Sequence, residues 1–429
     1  MDVKAPLGTE DILPDQAALW QKAEATARAL FARYGYGEIR TPIFESTRLF
    51  VRSIGETTDI VEKEMYTLGA GDDSLTLRPE ATAPVVRAYL EHNLHKTRAF
   101  QKLYYIGPMF RHERPQAGRK RQFHQIGVEA IGATSPLLDA EVVALACHLL
   151  DELGITGYRV RLNAIGTPAS RGGYRDLIKA ELAAQAEKLC PDCRRRLERN
   201  VFRVLDCKNE PCIAISRTLP RILDHLPEAE RTHFARVAKA LRAAGVPFEE
   251  DPFLVRGFDY YTGAVFEITH GALGAQDALC GGGRYDNLIA DLGGPPIGAI
   301  GWAMGVERLL MAVQAAKVAA TPTPLDLYIV TMGEAARTAA AGYLARLRRA
   351  GLAADTDYEG RSLKAQMRTA DKLRARFVTV LGDNELASGA FKLKHMASGA
   401  ESEAAGIDGL LRKLRQHAGE GAGGLELNS

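Results

Sequence analysis

Residues 110–129 decide the fold, and they read FRHERPQAGRKRQFHQIGVE. The run that leads into them, Leu103 to Phe110, is aromatic and aliphatic. Residues 111–121 then carry five lysine and arginine side chains together with Pro115 and Gly118, which favour a turn. The pattern predicts a strand, a charged loop and a second strand, and a basic loop of this kind suits a polyphosphate.

The second predicted strand places polar residues on one face. Phe123, Gln125, Gly127 and Glu129 alternate with the residues of the opposite face. Gln125 and Glu129 are four strand steps apart, about 13 Å between their Cα atoms, so both could reach one small polar ligand above Gly127. A solvated hairpin is the other interpretation of so short a strand.

Length and composition are those of an ordinary globular protein of two or three domains, with 429 residues and a formal net charge of +2. This charge neither supports nor excludes RNA binding, which would require local basic clusters. The sequence contains no apolar run of transmembrane length, and its first residues lack the order of a secretory signal. We therefore expect a cytoplasmic protein without a membrane partner.

Four of the six cysteines are clustered, in the pattern Cys190-x2-Cys193-x13-Cys207-x4-Cys212. Two short cysteine pairs at this separation can surround one zinc ion, and thiolates suit tetrahedral zinc. Because no catalytic type of residue accompanies them, the predicted zinc site is structural. Four reduced thiols without a metal are the alternative, since the second pair is spaced more widely than usual.

The order of predicted elements divides the chain into three parts. Residues 1–166 and 249–320 alternate strands and helices in a way that favours an α+β domain with a mainly antiparallel sheet. Residues 167–248 are rich in arginine, alanine and leucine and are predicted to be a helical insertion that contains the cysteine cluster. After a stiff linker at 321–324 (TPTP), residues 325–429 are predicted to form a small α/β domain.

The chain lacks a Walker loop, so a nucleotide would have to be held by other groups. The match to G-x-G-x-x-G at Gly419 falls in the C-terminal tail with neither a preceding strand nor a following helix, and we discard it. Arginines in the predicted strands and loops are the candidates for phosphate binding. They are Arg111, Arg119, Arg256 and Arg308, and the last is predicted in the first turn of a helix, where an anion is favoured.

Five short stretches resemble one enzyme family. They are TPIFE at 41–45, FRHE at 110–113 with the strand that ends at Glu129, GWAMGVER at 301–308, RGFDYY at 256–261 and GGGRYD at 281–286. The first three are similar to the three motifs of class II aminoacyl-tRNA synthetases, and the last two to signatures of histidyl-tRNA synthetases of bacterial type. The resemblance extends from the first helix to the closing domain, which it identifies as an anticodon-binding domain.

This resemblance implies ATP-dependent attachment of L-histidine to tRNA(His) through a histidyl-adenylate, with release of pyrophosphate and with Mg²⁺ accompanying ATP. Arg111 would bind the α-phosphate, Arg308 the γ-phosphate and Arg119 the pyrophosphate, while Phe123 stacks on adenine. Glu113 is implied as a further ATP-binding residue. Arg256 would bridge the substrate carboxylate and the α-phosphate, so Arg256 and Arg111 are the implied catalytic residues, and a guanidinium suits this double contact better than an ammonium group.

Histidine would be held by a second group of residues. The family implies that Glu80, Thr82 and Gln125 receive its amino group, and that Glu129 and Tyr261, with Tyr260, bind its imidazole. The glycines Gly281, Gly282 and Gly283 would leave room for the ring. This sequence has Ala81 where the family commonly has glycine, so we expect a small shift of the loop before Thr82.

Two kinds of partner follow from the remaining motifs. Arg361, Lys364, Arg368 and Lys372 are spaced three and four apart and predict a basic helix face for anticodon-side contact with tRNA, although a solvated helix fits the pattern too. The resemblance also implies a homodimer. A synthetase-like regulatory or sensor subunit without aminoacylation activity is the alternative function, and such a subunit would be expected to lack Arg256 or the closing domain.

Overall fold

The structure is a computed structural model, and it describes residues 3–55, 58–274, 277–317 and 324–422. Most of the predicted linker, at 321–323, and Gly424 of the discarded glycine motif lie outside these residues. The chain divides into two compact units, residues 1–320 and 321–429. Among the described helices, none has both the length and the apolarity that crossing a bilayer requires.

An eight-stranded sheet forms the centre of the first unit. Its strands lie in the spatial order Gly37–Glu38, Gln101–Phe110, Gln122–Ile131, Ala299–Gly305, Ala278–Arg284, Thr262–Thr269, Arg159–Ala164 and Glu249–Glu250. Only the outermost pair at each edge is parallel, and all the inner pairs are antiparallel. The predicted α+β fold with a mainly antiparallel sheet is therefore confirmed.

The register of the central strands brings glycines next to large polar side chains. Gly127 lies opposite Tyr105, and Gly301 lies opposite Glu129. A Cβ atom at Gly127 would overlap the Tyr105 ring, and one at Gly301 would overlap the Glu129 carboxyl group. The missing side chains therefore make the space in which these two residues are buried.

Helices cover the sheet and build one large apolar core. The helix Pro136–Glu152 packs behind the sheet, where the Val142 carbonyl accepts a 3.0 Å hydrogen bond from the Trp302 indole. Ser135 caps this helix, because its hydroxyl accepts from the Leu137 amide. The other helices of this part are Pro14–Arg33, Thr47–Ile54, Thr82–Glu91, Leu94–Thr97, Leu288–Asp291 and Val306–Ala315, with shorter turns at Ile60–Glu64, Gly71–Asp73 and Gly271–Leu273.

The predicted helical insertion, residues 167–248, consists of helices in the described structure. They are Gly172–Ala183, Pro191–Arg199, Phe202–Leu205, Glu210–Ser216 and Glu228–Ala243, with short turns at Ala186–Lys188 and Ile222–His225. Its last helix meets the helix behind the sheet, where His233 hydrogen-bonds the buried Asp139 at 2.7 Å. The insertion belongs to the same compact unit as the sheet, so its separation as a domain stays a prediction.

A small second sheet consists of Phe44–Ser46, Leu75–Leu77 and Tyr66–Leu68. The stretch Ile39 to Phe44, whose alternating residues favour a strand interrupted by Pro42, pairs in this sheet only from Phe44 onward. Pro42 cannot donate to a ladder, and the carbonyl groups of Thr41 and Pro42 instead accept from the Arg78 guanidinium. This segment is thus fixed by a side chain and not by strand pairing.

The second unit is an α/β domain, as predicted. Its five strands lie in the order Ala354–Thr356, Leu327–Thr331, Phe377–Leu381, Ala390–His395 and Glu401–Ala405. The first three are mutually parallel and the last two add antiparallel pairs. Its helices are Glu334–Arg349, Leu363–Lys372, Asp383–Ser388 and Gly406–Ala422.

Candidate active site

A cavity of about 340 Å³ opens above the large sheet. Side chains from strands, loops and helices that are far apart in sequence converge on it. Most of the sequence-predicted ligand residues line it, namely Glu80, Thr82, Arg111, Glu113, Arg119, Phe123, Gln125, Arg256, Tyr260, Tyr261, Gly281 and Arg308. The fold therefore brings the predicted arginines and the predicted polar residues into one cavity.

Backbone carbonyls and aromatic rings fix Arg111 in the cavity wall. Its Nε donates to the Pro79 carbonyl at 2.9 Å. Its guanidinium lies 5.2 Å from the centre of the Phe123 ring and 5.9 Å from that of Phe258. These contacts use the edge at Nε and the π face, so terminal N–H groups stay available for an anion.

Arg119 belongs to the basic loop, and Arg308 contacts this loop from the helix Val306–Ala315. Arg308 donates to the carbonyls of Gly118 at 3.0 Å and Ala278 at 2.7 Å. Burial and the positive charge of Arg119 lower the pKa of Arg308. Arg119 is paired with Glu113 at 3.1 Å. A group that brings negative charge to this place would relieve the repulsion between the two arginines.

Arg256 lies beneath the cavity and is held by one carboxylate. Its Nη1 donates to Glu267 at 2.7 Å, whereas its buried Nε has no partner among the described residues. A Cβ atom at Gly281 would overlap the Arg256 guanidinium. Gly281 therefore makes room for Arg256, and not directly for a substrate ring as the sequence led us to expect.

The other two predicted glycines, Gly282 and Gly283, have close backbone neighbours, and their expected role toward the ring stays a prediction. A Cβ atom at Gly282 would overlap the Gly301 carbonyl and approach the Phe266 ring to 2.8 Å. At Gly283 it would come within 2.7 Å of the Ala264 carbonyl. Both glycines allow close packing between neighbouring strands of the sheet.

Glu129 is buried beside the cavity. It accepts hydrogen bonds from the Thr82 hydroxyl, at 2.7 Å, and from the Tyr285 hydroxyl, and both of these residues line the cavity. Burial raises the pKa of Glu129 to about 8, although both hydroxyl groups oppose this shift. The expected contact of Glu129 with the ligand stays a prediction.

Glu80 ends the loop before the helix Thr82–Glu91. Its carboxylate accepts from the backbone N–H groups of Thr82 at 2.6 Å and Ala83 at 3.0 Å, and so caps the helix. Burial raises its pKa. The unusual Ala81 has φ −116° and ψ −9°, which any L-residue adopts, so its methyl group causes no backbone strain before Thr82.

Several cavity residues were missed by the sequence analysis, above all Tyr105, Glu267 and Tyr285. Their signals were present in part, since Tyr285 belongs to the GGGRYD stretch and Tyr105 to the strand before the basic loop. The Tyr105 hydroxyl is buried without a partner, as are Oε1 of Gln125 and Nε of Arg256. Three such atoms in one cavity indicate a polar ligand, because buried polar groups are normally satisfied.

The four clustered cysteines converge within the insertion. Their sulfur atoms all lie within 4.8 Å of one another, and those of Cys190 and Cys207 are 3.9 Å apart. The Cys193 N–H group lowers the pKa of Cys190 to about 7, while burial raises the pKa of Cys193 and of Cys212. Sulfur atoms about 2.3 Å from a tetrahedral zinc are separated by similar distances, so the cluster fits that ion.

The basic helix of the second unit differs from the expectation. Arg361 precedes the helix and is paired with the buried Asp357 at 2.5 Å, so it belongs to the domain's own structure. Lys364, Arg368 and Lys372 are exposed on the helix Leu363–Lys372. The predicted face of four basic residues is thus reduced to three.

An antiparallel sheet that supports a cavity ringed by arginines, followed by a separate α/β unit, defines a class II aminoacyl-tRNA synthetase. Residues 8–309 match the family model described as histidyl-tRNA synthetase, and residues 326–417 match that of an anticodon binding domain. Histidine–tRNA ligases of Halothermothrix orenii and Trichlorobacter lovleyi are 51% and 52% identical to the chain, over 94% and 93% of it and 97% and 95% of their own lengths.

A crystal structure of apo histidyl-tRNA synthetase from S. aureus superimposes with a TM-score of 0.81 at 39% identity, covering 96% of this chain and all of that one. The chain belongs to the histidyl-tRNA synthetase family. It is therefore an enzyme of protein synthesis that uses ATP, generally with Mg²⁺, to attach histidine to tRNA.

The buried acid predicts a pH dependence of stability. The pKa of Glu129 is about 8 in the folded protein, and about 4.3 is usual for an unfolded chain. Between these values the folded state retains a proton that the unfolded state releases, so stability falls as the pH rises through this window. Glu129→Gln stays neutral and should lose that part of the slope.

Melting temperatures of the wild type and of Glu129→Gln, measured without ligand from pH 5 to 8, test this expectation. The wild type should lose stability relative to the variant as the pH rises. Parallel curves would contradict the assignment of a protonated Glu129.

Proposed function

We propose that the cavity binds ATP and histidine side by side and joins them as histidyl-adenylate. The observation that carries this proposal is the convergence of Arg111, Arg256 and Arg308 on one cavity that also contains three unpartnered buried polar atoms. Attack of a carboxylate on the α-phosphorus brings two anions together, and fixed guanidinium groups lower the cost of that approach.

The triphosphate would lie along the arginines. Arg111 binds the α-phosphate, Arg119 the pyrophosphate and Arg308 the γ-phosphate. Phe123 forms part of the same wall and receives the adenine, and Glu113 keeps Arg119 in place through its 3.1 Å ion pair. Arg256 contacts both the carboxylate of histidine and the α-phosphate, because its position beneath the cavity leaves its Nε unpaired.

Histidine would lie over the strand Gln122–Ile131. Gln125 receives the amino group with Glu80 and Thr82, and Oε1 of Gln125 still lacks a donor. The imidazole is bound by Glu129 and Tyr261, with Tyr260 beside them, and the hydroxyl groups of Thr82 and Tyr285 orient the Glu129 carboxyl group. A site built on such bonds can reject an amino acid that lacks the ring nitrogen by about 10⁴-fold.

Magnesium enters the proposed site with ATP. The described part of the cavity has no group of three acidic ligands, as the only cluster with metal-binding spacing is the cysteine cluster. Several single carboxylates line the cavity, among them Glu113, Asp277 and Glu307, and one of them could contribute a ligand to the ion. When bound, the ion would neutralise phosphate charge, whereas the arginines bind and orient the phosphate groups.

The role of Arg256 is tested by Arg256→Lys. A lysine keeps the charge but cannot contact the substrate carboxylate and the phosphate at once, so we expect histidine-dependent pyrophosphate exchange to fall by about 100-fold or more. Arg161→Lys is the matched control, because Arg161 contacts the same Glu267, at 3.1 Å, from outside the cavity. Near-normal exchange in Arg256→Lys, with histidine as the amino acid, would refute the role.

The cysteine cluster is proposed as a structural zinc site. The four sulfur atoms lie close together, and thiolates are the ligands that such sites use. Metal analysis of the purified protein should find one zinc per chain, and Cys193→Ser with Cys207→Ser should remove it. Zinc that is absent from protein purified without chelators, and that does not bind when added, would contradict the proposal.

The second unit is proposed to contact the anticodon side of tRNA(His) through Lys364, Arg368 and Lys372. All three are exposed on one helix, next to Leu363, and none of them forms an ion pair with a described acidic residue of the unit. Their charge would act on tRNA phosphates.

Replacing Lys364, Arg368 and Lys372 by alanine should weaken tRNA binding, and the slope of log affinity against log salt should decrease by about one per lost contact. Lys392→Ala with Lys394→Ala, on a strand of the same unit, serves as the control. An unchanged salt slope would place the tRNA elsewhere.

We propose a homodimer formed through the small sheet. Ile43, Phe44, Leu68 and Leu75 are all at least 38% exposed on or beside it, and a concentration of exposed apolar side chains favours association. In sedimentation experiments, Phe44→Asp should shift the protein toward a monomer.

The cytoplasm, where tRNA is charged, is the proposed compartment. Nothing in the structure or in the relatives supports the regulatory alternative, since Arg256 and the closing domain are both present.

A further inference from the structure

The loop 256–261, which carries Arg256, Tyr260 and Tyr261, has neither helix nor strand structure. Its backbone therefore lacks a hydrogen-bond ladder that would fix its path. Arg203 of the insertion donates to the Gly257 carbonyl at 2.7 Å. The same guanidinium contacts Asp59 at 3.0 Å, so one side chain joins the loop to a second segment.

Two more insertion residues contact this loop. Asn200 donates to the Asp259 carboxylate at 3.0 Å, and Arg171 donates to the Tyr261 carbonyl at 3.2 Å. All three contacts come from residues that do not line the substrate cavity. They act on the loop from the side opposite to the substrate.

Hydrogen bonds join the insertion to the loop beside a second cavity of about 530 Å³. This cavity is lined by Arg171, Asn200 and Arg203 of the insertion together with Val255 and Phe258. The loop is also held from the sheet side, where Tyr260 and Tyr261 are buried in the core. Side chains of the insertion therefore fix the loop on the side of the second cavity, where packing contacts are fewer.

Contacts of the insertion extend to the basic loop of the active site through residues 58–64. Arg199 is paired with Glu62 at 2.7 Å, and Arg203 with Asp59. Ile60 of this segment lines the substrate cavity. The Glu64 carbonyl accepts from the His112 amide at 2.7 Å, next to Arg111.

The cysteine cluster encloses the segment that carries Asn200 and Arg203. Both belong to the segment of 13 residues between Cys193 and Cys207, and these two sulfur atoms are within 4.8 Å of each other. A metal bound by the four sulfur atoms would close this segment into a loop and limit its movement.

We propose that Asn200 and Arg203 are positioning residues for the loop 256–261, and that the four-cysteine cluster, filled by a thiophilic divalent cation, holds them in place. The state of the cluster thus controls the activation of histidine from outside the substrate cavity. This inference rests on the function proposed for Arg256 and on the metal site proposed for the cysteines.

The experiment compares Arg203→Ala and Asn200→Ala with Arg195→Ala in the full-length protein. Arg195 is the matched control, because it lies in the same segment and pairs with Asp192 of its own helix. Losing a charged hydrogen bond should lower kcat/KM for histidine in pyrophosphate exchange by about tenfold or more in Arg203→Ala. Arg195→Ala should match the wild type.

Amide hydrogen exchange of residues 256–261 gives a readout besides activity. It should become faster in Arg203→Ala and Asn200→Ala, while the helix Pro136–Glu152 keeps its protection as a check on folding. Arg203→Lys keeps the charge toward Asp59 and should recover part of the loss. Normal kcat/KM together with unchanged amide hydrogen exchange of residues 256–261 would overturn the proposal.

The metal is tested by chelation and by re-addition of zinc. Its removal should speed amide exchange of residues 256–261 in the wild type and add little to the effect of Arg203→Ala, because both act through the same contact. Additive effects would overturn the link to the cluster. A wild-type protein that shows no histidine-dependent pyrophosphate exchange would instead refute the proposed function. Amide hydrogen exchange of residues 256–261 would still test whether Asn200 and Arg203 position the loop.

Discussion

The structure depends on keeping several guanidinium groups close together around one cavity. Arg111, Arg119, Arg256 and Arg308 all line it, and unpaired cations at such distances repel one another. Glu113 pairs with Arg119 and lies 3.9 Å from Arg111, Glu267 pairs with Arg256, and backbone carbonyls orient Arg111 and Arg308. These partners hold the arginines at the cavity without a bound nucleotide, so little reorganisation is needed when it binds.

Glycines of the sheet provide the space that large polar side chains occupy. Gly281 leaves the space that the Arg256 guanidinium occupies, Gly127 accommodates the Tyr105 ring, and Gly301 accommodates the Glu129 carboxyl group. Each glycine sits on a central strand, where it weakens the strand on its own. The surrounding core and the antiparallel ladders compensate for this weakness, and the result is a sheet that accommodates large polar groups close to its backbone.

Burial changes what the polar residues can do. The partners of Glu129 are the hydroxyl groups of Thr82 and Tyr285, and burial raises its pKa to about 8. A carboxyl group in this environment retains its proton to a higher pH than an exposed one. The insertion acts on the cavity indirectly, because Arg203 contacts the backbone of the loop that carries Arg256 and does not line the cavity itself.

The sequence by itself determined the α+β class, the basic loop between two strands, most of the arginines of the cavity and the grouping of the four cysteines. These features depend on local patterns, such as alternation along a strand and the spacing of like residues, which a linear sequence displays. Only the tertiary structure decided that Gly281 makes room for Arg256, that burial raises the pKa of Glu129, that Arg361 is paired with Asp357, and that Tyr105 and Glu267 line the cavity. Each of these depends on register, burial or contacts between distant segments, and a residue's pKa and neighbours are properties of the folded environment.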